Sequence, residues 1–205
     1  MAHYYDERPD APSDRRIIEY RVDGTNFRFV TDSNVFSRRE VDFGTDLMIR
    51  EVIADVRRDA RDGGAFLDLG CGFGVVGTVF KYKFMRYDCY GVDVNSRAVS
   101  LARENALGNN VEVDFVQSDV LDNLDNSVKF DVVATNPPVR AGKAVVFRFY
   151  EEAYERMNNG GALYAVLQRK QGAPSTEKKL LELFGNCVTL GIDGGYRVMK
   201  AVKEG

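Results

Sequence analysis

The stretch Phe66-Leu67-Asp68-Leu69-Gly70-Cys71-Gly72-Phe73-Gly74-Val75-Val76-Gly77 decides the fold. A short apolar run enters a cluster of glycines and leaves as a helix-compatible segment, which is a strand–turn–helix unit. Glycine reaches φ > 0 without steric cost, so the chain can reverse tightly and a ligand can approach the main chain. In an open α/β sheet, ligands collect at the carboxyl ends of strands near the point where strand order reverses, and a turn of this kind belongs there.

Working outward, the pattern on the C-terminal side alternates between strands and helices. Strands are expected at Ala65–Leu69, Cys89–Val92, Val111–Gln117, Phe130–Thr135, Ala162–Gln168, Cys187–Gly191 and Tyr196–Val202. Helices are expected at Val75–Phe84, Ser96–Leu107, Ala144–Met157 and Ser175–Phe184. Such alternation implies βαβ crossovers and a mostly parallel sheet. The last two strands, joined through Asp193-Gly194-Gly195 without a helix, make a terminal antiparallel hairpin. The predicted architecture is a doubly wound α/β sheet of seven strands, Rossmann-like.

On the N-terminal side, Ile17–Val22 and Thr25–Val30 alternate in polarity across Asp23-Gly24, a strong hairpin signal. From Thr45 the period becomes helical through Leu47, Met48, Val52, Ile53 and Val56, with Thr45 as the expected N-cap and Gly63-Gly64 as the stop. The expected division is residues 1–44, a polar tail with a β-hairpin extension, and residues 45–205, the main domain.

The 205 residues are 44% hydrophobic and 29% charged, enough for a buried core and inconsistent with global disorder. No run of about 18 apolar residues exists, so no membrane helix is expected. Met1–Arg16 lacks an apolar stretch, so no signal peptide is expected and the cytoplasm is the simplest compartment. Three cysteines without a C-x-x-C pair argue against a disulfide framework or zinc knuckle, and the single histidine, His3, leaves little for a histidine base or a metal site. A net charge of −3 excludes a general nucleic-acid coat but allows a local basic face.

Two chemistries compete for the glycine turn. Gly72, Gly74 and Gly77 satisfy the dinucleotide fingerprint G-x-G-x-x-G. Asp68, two residues before Gly70, instead makes D-x-G-x-G, and a carboxylate there repels a pyrophosphate while suiting the ammonium of an amino-acid-like cofactor. Asp93, followed by Val94, closes the second strand 19 residues after Gly74, where an acid binds two ribose hydroxyls of either cofactor. Asp119, followed by Val120, ends the third strand at a position to take an adenine amino group. Cys71, inside the turn, reads as a small packing residue.

The fourth strand, Asp131-Val132-Val133-Ala134-Thr135, delivers Asn136-Pro137-Pro138 to the ligand edge. Prolines fix φ and lack an N–H, so neighbouring carbonyls are expected to face a rigid pocket without a competing backbone donor. The Asn136 oxygen and the Pro137 carbonyl then offer two acceptors for the two hydrogens of a planar NH₂. Holding both while the nitrogen pyramidalises stabilises attack on a methyl donor and needs no prior base.

With these motifs in register, the chain resembles the class I S-adenosylmethionine-dependent methyltransferases that carry Asn-Pro-Pro. More narrowly it is similar to the small-domain group around the ribosomal RNA small-subunit methyltransferase C family. The shared stretches are His3-Tyr4-Tyr5, Val35-Phe36-Ser37, Val41-Asp42-Phe43-Gly44-Thr45, Asn136 to Lys143 and Gln168–Pro174. The resemblance implies S-adenosyl-L-methionine as cofactor and N2-methylation of a guanine in small-subunit ribosomal RNA. It also implies Asp93 on the ribose, Asp119 at the adenine, and a Phe43-Gly44-Thr45 loop closing over the methionine end. Val139 stands where many amino-methyltransferases place a base-stacking aromatic, so Tyr4, Tyr5 or Phe73 is expected to hold the base. The longer enzymes of the group carry a duplicated N-terminal domain where this chain has only a hairpin.

Arg140 and Lys143 flank the Asn-Pro-Pro turn, and Arg169 and Lys170 follow the fifth strand at the same edge, a candidate phosphate-contacting face over a flipped-out base. Arg38-Arg39 adds to it, whereas Arg57-Arg58-Arg61 and Lys178-Lys179 read as solvated helix faces. Three alternatives remain open from the residues: the same chemistry on an adenine N6 or a protein glutamine amide, a nicotinamide oxidoreductase, and a non-catalytic ribosome-associated module. No metal is expected.

Overall fold

The computed structural model describes residues 12–33 and 35–205. His3, Tyr4 and Tyr5 therefore lie outside the described residues.

The N-terminal hairpin pairs β1 (Arg16–Val22) with β2 (Thr25–Thr31), antiparallel, in the register Val22↔Thr25. Asp23 and Gly24 both take positive φ, 48° and 75°, the primed turn that matches strand twist. Alternate residues Val22, Phe27 and Phe29 face the core. Asn105 then ties the hairpin to the body: its Oδ1 accepts from Val30 N–H at 2.7 Å, and its Nδ2 donates to the carbonyls of Val30 and Phe73, each at 2.9 Å.

Helix α1 (Phe43–Arg58) follows, then β3 (Gly64–Leu69), α2 (Val75–Lys83), β4 (Tyr87–Asp93), α3 (Ser96–Gly108), β5 (Asp114–Gln117) and β6 (Phe130–Thr135). The chain finishes with α4 (Lys143–Arg156), β7 (Met157–Gln168), α5 (Ala173–Phe184), β8 (Val188–Asp193) and β9 (Tyr196–Val202). The seven strands lie in the order β5-β4-β3-β6-β7-β9-β8. All pairings are parallel except β7 with β9 and β8 with β9. Strand order reverses at β3, so the crevice lies beyond the carboxyl ends of β3 and β6.

Both faces of the sheet are covered, as a parallel sheet requires. Phe66, Val132, Tyr164 and Val198 pack with the hairpin, α1 and α2 on one face. Leu67, Val133, Leu163 and Met199 pack with α4 and α5 on the other. The hairpin thus shares its core with the sheet.

Several boundaries differ from expectation. Helix α1 starts at Phe43, with Asp42 as N-cap accepting from Thr45 N–H at 3.1 Å; Thr45 lies inside the first turn, and Phe43-Gly44-Thr45 is helix rather than a closing loop. It ends at Arg58, before Gly63. β5 begins at Asp114, and β7 begins earlier, at Met157, with a register irregularity against β6. No helix among the described residues is long and apolar enough to cross a membrane.

Candidate active site

Two cavities meet over the crevice. The larger, about 300 Å³, is lined by Asp93 and Val94 from the end of β4, Ser118, Asp119 and Val120 after β5, and Asn136 to Arg140 after β6. Phe149, Gln168, Gln171 and Tyr196 close its far side. The smaller, about 50 Å³, lies over the glycine turn between Asp68, Gly70, Cys71, Gly72 and Phe73 on one side and Asp42 and Thr45 on the other. Phe36, Asp42, Gly70 and Asn136 border both.

The floor is acidic. Asp68 is 2% exposed, and its Oδ2 accepts from Gly77 N–H at 2.8 Å. Burial, together with the Asp93 charge and against that one hydrogen bond, pushes its pKa up to about 7. Asp93 accepts from the N–H groups of Gly72 and Asn95, both at 2.9 Å, and its pKa is also raised, by burial. No cation pairs with either acid among the described residues.

The glycine turn spends its own donors. Gly70 and Cys71 N–H donate to Val92 O at 2.9 and 2.8 Å, Gly72 N–H to Asp93, and Gly74 N–H to Cys71 O at 2.9 Å. A pyrophosphate would meet the carboxylates of Asp68 and Asp93 and none of these amides, so the geometry opposes the dinucleotide reading. Gly72, at φ 52°, has open space where a Cβ would stand. Gly74 serves packing instead. A Cβ there would lie 2.8 Å from the Ala102 side chain, so this glycine lets α2 approach α3 and does not line either cavity.

At the opposite wall, the Thr135 hydroxyl donates to Leu69 O at 2.8 Å and locks the end of β6 to that of β3. Asn136 follows, its Nδ2 donating to Asp42 Oδ2 at 3.1 Å and to Thr45 Oγ1 at 2.9 Å. The Pro137 carbonyl accepts from Val139 N–H at 2.8 Å, so a competing backbone donor is present, and only its second lone pair remains.

The adenine-side expectation for Asp119 is modified by an arginine that no sequence motif marks. Arg148 of α4 donates to Asp119 Oδ2 at 2.8 Å, to Asp122 at 3.1 Å and to Glu152, while Glu152 also accepts from Leu121 N–H at 3.1 Å. Val120, β-branched and at φ 48°, lies in the left-handed region between the braced Asp119 and Leu121, the kind of strain that accumulates at ligand loops.

A family model described as the methyltransferase small domain matches residues 26–200. The chain belongs to that family. Its fold is that of the class I S-adenosylmethionine-dependent methyltransferases, as the motifs led us to expect. Among relatives of the family, the uncharacterized protein YbxB of Bacillus subtilis is 40% identical over 98% of both chains. The ribosomal RNA large subunit methyltransferase G of Shewanella amazonensis is 32% identical over 83% of this chain and 44% of its own. The structure of the T. thermophilus 16S rRNA N2 G1207 methyltransferase, in complex with AdoMet and guanosine, superposes with a TM-score of 0.85 at 27% identity, covering 96% of this chain and 52% of that one. The chain spans about half the length of these two named methyltransferases.

Several residues expected in the site are placed differently. Phe73 borders the smaller cavity, but its side chain is 4% exposed and packs edge-on against Phe29 at 6.1 Å, as a core residue does. Phe43 and Gly44 line neither cavity: Phe43 lies 5.7 Å from the Tyr196 ring, and a Cβ on Gly44 would stand 2.6 Å from that ring. Arg140 is exposed and lines the large cavity, while Lys143, at the start of α4, and Arg169 and Lys170, on the turn after β7, are exposed and do not line it, although their neighbour Gln171 does. None of these four has a carboxylate partner among the described residues; Lys143 lies 5.0 Å from the Phe147 ring centroid. Arg38, by contrast, is committed to Asp14, and Arg57 to Asp23 at 2.6 Å. Asp42, Phe36, Tyr196, Gln168 and Gln171 belong to the site although no motif singles them out as such. Asp42, Phe36, Gln168 and Gln171 stand within the quoted stretches, and no spacing rule marks Tyr196.

Proposed function

We propose that the chain transfers a methyl group from S-adenosyl-L-methionine to the exocyclic N2 amine of a guanine in ribosomal RNA, with the small-subunit RNA as substrate. The observation that carries this reading is the Asn136 side chain, whose two N–H groups are spent on Asp42 and Thr45 so that its oxygen is left for an amine at the junction of the two cavities.

The site fits the cofactor. Asp68, buried, and Asp93, half-buried at the cavity wall, have no cation partner among the described residues and suit an ammonium and a ribose diol, and the open face at Gly72 gives a ligand room against the main chain. Asp119, Val120 and Val94 would surround the adenine. Bound there, S-adenosylmethionine supplies an electrophilic methyl on a sulfonium. Asn136 Oδ1 and the free lone pair of the Pro137 carbonyl accept the two N–H groups of the amine and hold its lone pair in the attacking direction. As the nitrogen becomes cationic, both acceptors bind it more tightly than in the ground state, which is the condition for catalysis. The proton that must leave is one of the two held by these acceptors, and it passes to solvent as the methylated amine leaves the grip.

Arg140, Lys143, Arg169 and Lys170 form a basic rim suited to phosphates around an extruded nucleotide. Tyr196 and Phe36 supply the aromatic surface that Val139 does not. The guanosine named in the structure of the Thermus relative supports guanine over adenine.

The test is transfer of labelled methyl to small subunits, large subunits and their naked RNAs from cells lacking the gene, followed by nucleoside digestion. Label in N2-methylguanosine of the small-subunit RNA is expected. Label confined to the large subunit, to another nucleoside or to protein overturns that assignment.

A further inference from the structure

Resting on that reading, we propose that Asp42 and Thr45 are positioning residues that fix the amide of Asn136 in one of its two orientations. A primary amide on a strand end can turn by 180° about its last torsion at little cost. In one orientation its oxygen faces the acceptor amine; in the other its NH₂ does, and two donors confront each other. Which orientation holds decides whether the Asn-Pro-Pro turn attracts the substrate or repels it.

The geometry selects one. Nδ2 lies 3.1 Å from Asp42 Oδ2 and 2.9 Å from Thr45 Oγ1. A carboxylate only accepts, so the amide atom facing it is the nitrogen. Both N–H groups are then used, and the oxygen is the valence left over.

The clamp is rigid because it is part of a helix start. Asp42 is the N-cap of α1, and the same Oδ2 accepts from Thr45 N–H at 3.1 Å. An N-cap and the third residue after it lie side by side, which sets the spacing of the two acceptors. The helix is in turn anchored, through Asp55 and the Tyr164 hydroxyl at 2.7 Å, to the sheet that carries Asn136. Gly44 between the two clamp residues lies under the Tyr196 ring, so the first turn cannot drift outward without losing that contact.

The test compares Thr45→Val and Thr45→Ser with the wild type, using cofactor binding by calorimetry and transfer in single turnovers. Valine keeps the volume, the helix and the Asp42 cap while removing one acceptor. We expect a rate loss of about 10-fold, the size of one hydrogen bond, at unchanged cofactor affinity, with serine restoring the rate. In the cofactor-free protein, the Asn136 amide protons should exchange slowly in nitrogen-edited NMR spectra, and valine should free one of them.

A second pair is independent of Thr45. Asn136→Asp sets a carboxylate against Asp42, and adding Asp42→Asn returns a donor to that contact while keeping a competent N-cap. The double variant should therefore exceed N136D in rate by about 10-fold. If T45V folds and transfers at the wild-type rate, the clamp is wrong; if T45V does not fold, a double variant no faster than N136D overturns it. Full activity of Asn136→Ala would instead refute the functional reading itself, so the two failures are distinguishable.

Discussion

The two halves of the site are built differently. The half under β3 and β4 is local: Asp68, the glycine turn and Asp93 lie within one strand–turn–helix–strand unit and bond to each other through backbone amides. The half beyond β6 is assembled from a distance, with Asn136 held by residues 94 and 91 positions away and walled by Gln168, Gln171 and Tyr196. A ligand that the family shares can be held by a short motif. An acceptor particular to one enzyme is met by segments that only the complete fold brings together.

If this division is real, variants in the two halves should fail differently. Asn136→Ala should carry the largest effect, lowering single-turnover transfer by about 10²–10³-fold while cofactor affinity stays within about 2-fold. A matching loss of cofactor affinity would erase the distinction. Asp93→Ala should do the reverse, weakening the cofactor by about 10²-fold, because a charged acceptor is lost and two backbone N–H groups are left unpaired. Near-normal transfer at saturating cofactor is expected, and normal affinity would remove Asp93 from the site.

Arg140→Ala combined with Lys143→Ala should lower RNA affinity and reduce the slope of log K against log salt by about 2, close to one unit per phosphate contact. An unchanged slope would return both to ordinary surface. Arg148→Ala frees the Asp119 loop, so the cofactor KM should rise by about 3–10-fold with kcat nearly constant, since that brace contacts no reacting atom. A fall in kcat alone would contradict this.

The legibility of the sequence follows the same division. β6 and β9 are readable to the residue because their apolar runs end at sharp turn signals, Asn136-Pro137 and Gly194-Gly195. Asp68 of D-x-G-x-G, and Asp93 at the end of the next strand, are readable because their spacing carries the geometry. Thr45 resembles an N-cap because a hydroxyl before an apolar period is a good local signal, yet Asp42 captures the Thr45 amide. Nothing local marks the meeting of Asp42 with Asn136, or of Arg148 with Asp119. Gly74 resembles a ligand glycine, but its constraint comes from Ala102 across a helix pair. Strand topology puts Lys143, Arg169 and Lys170 on the same sheet edge as Asn136, and the same topology leaves them outside the cavity walls.

Asp68 gives the smallest and most easily measured signature. Its pKa rises from 3.8 to about 7 in the folded protein, so between those values the native state binds more protons than the unfolded state. Its contribution therefore lowers stability as pH rises from about 4 to about 7, and a bound cation reverses this by favouring the ionised form. Cofactor affinity should accordingly increase through pH 7, and Asp68→Asn should flatten both profiles. A pH-independent wild-type affinity would contradict the buried-acid floor.

The most direct test of the central claim uses a ribosomal RNA fragment carrying the nucleotide identified by nucleoside digestion, made with guanosine or with inosine at that position. Inosine lacks only the exocyclic N2 amine. The inosine RNA should bind comparably and receive no label. Equal labelling of the two RNAs would place the methyl on another atom and contradict the grip assigned to Asn136 and Pro137.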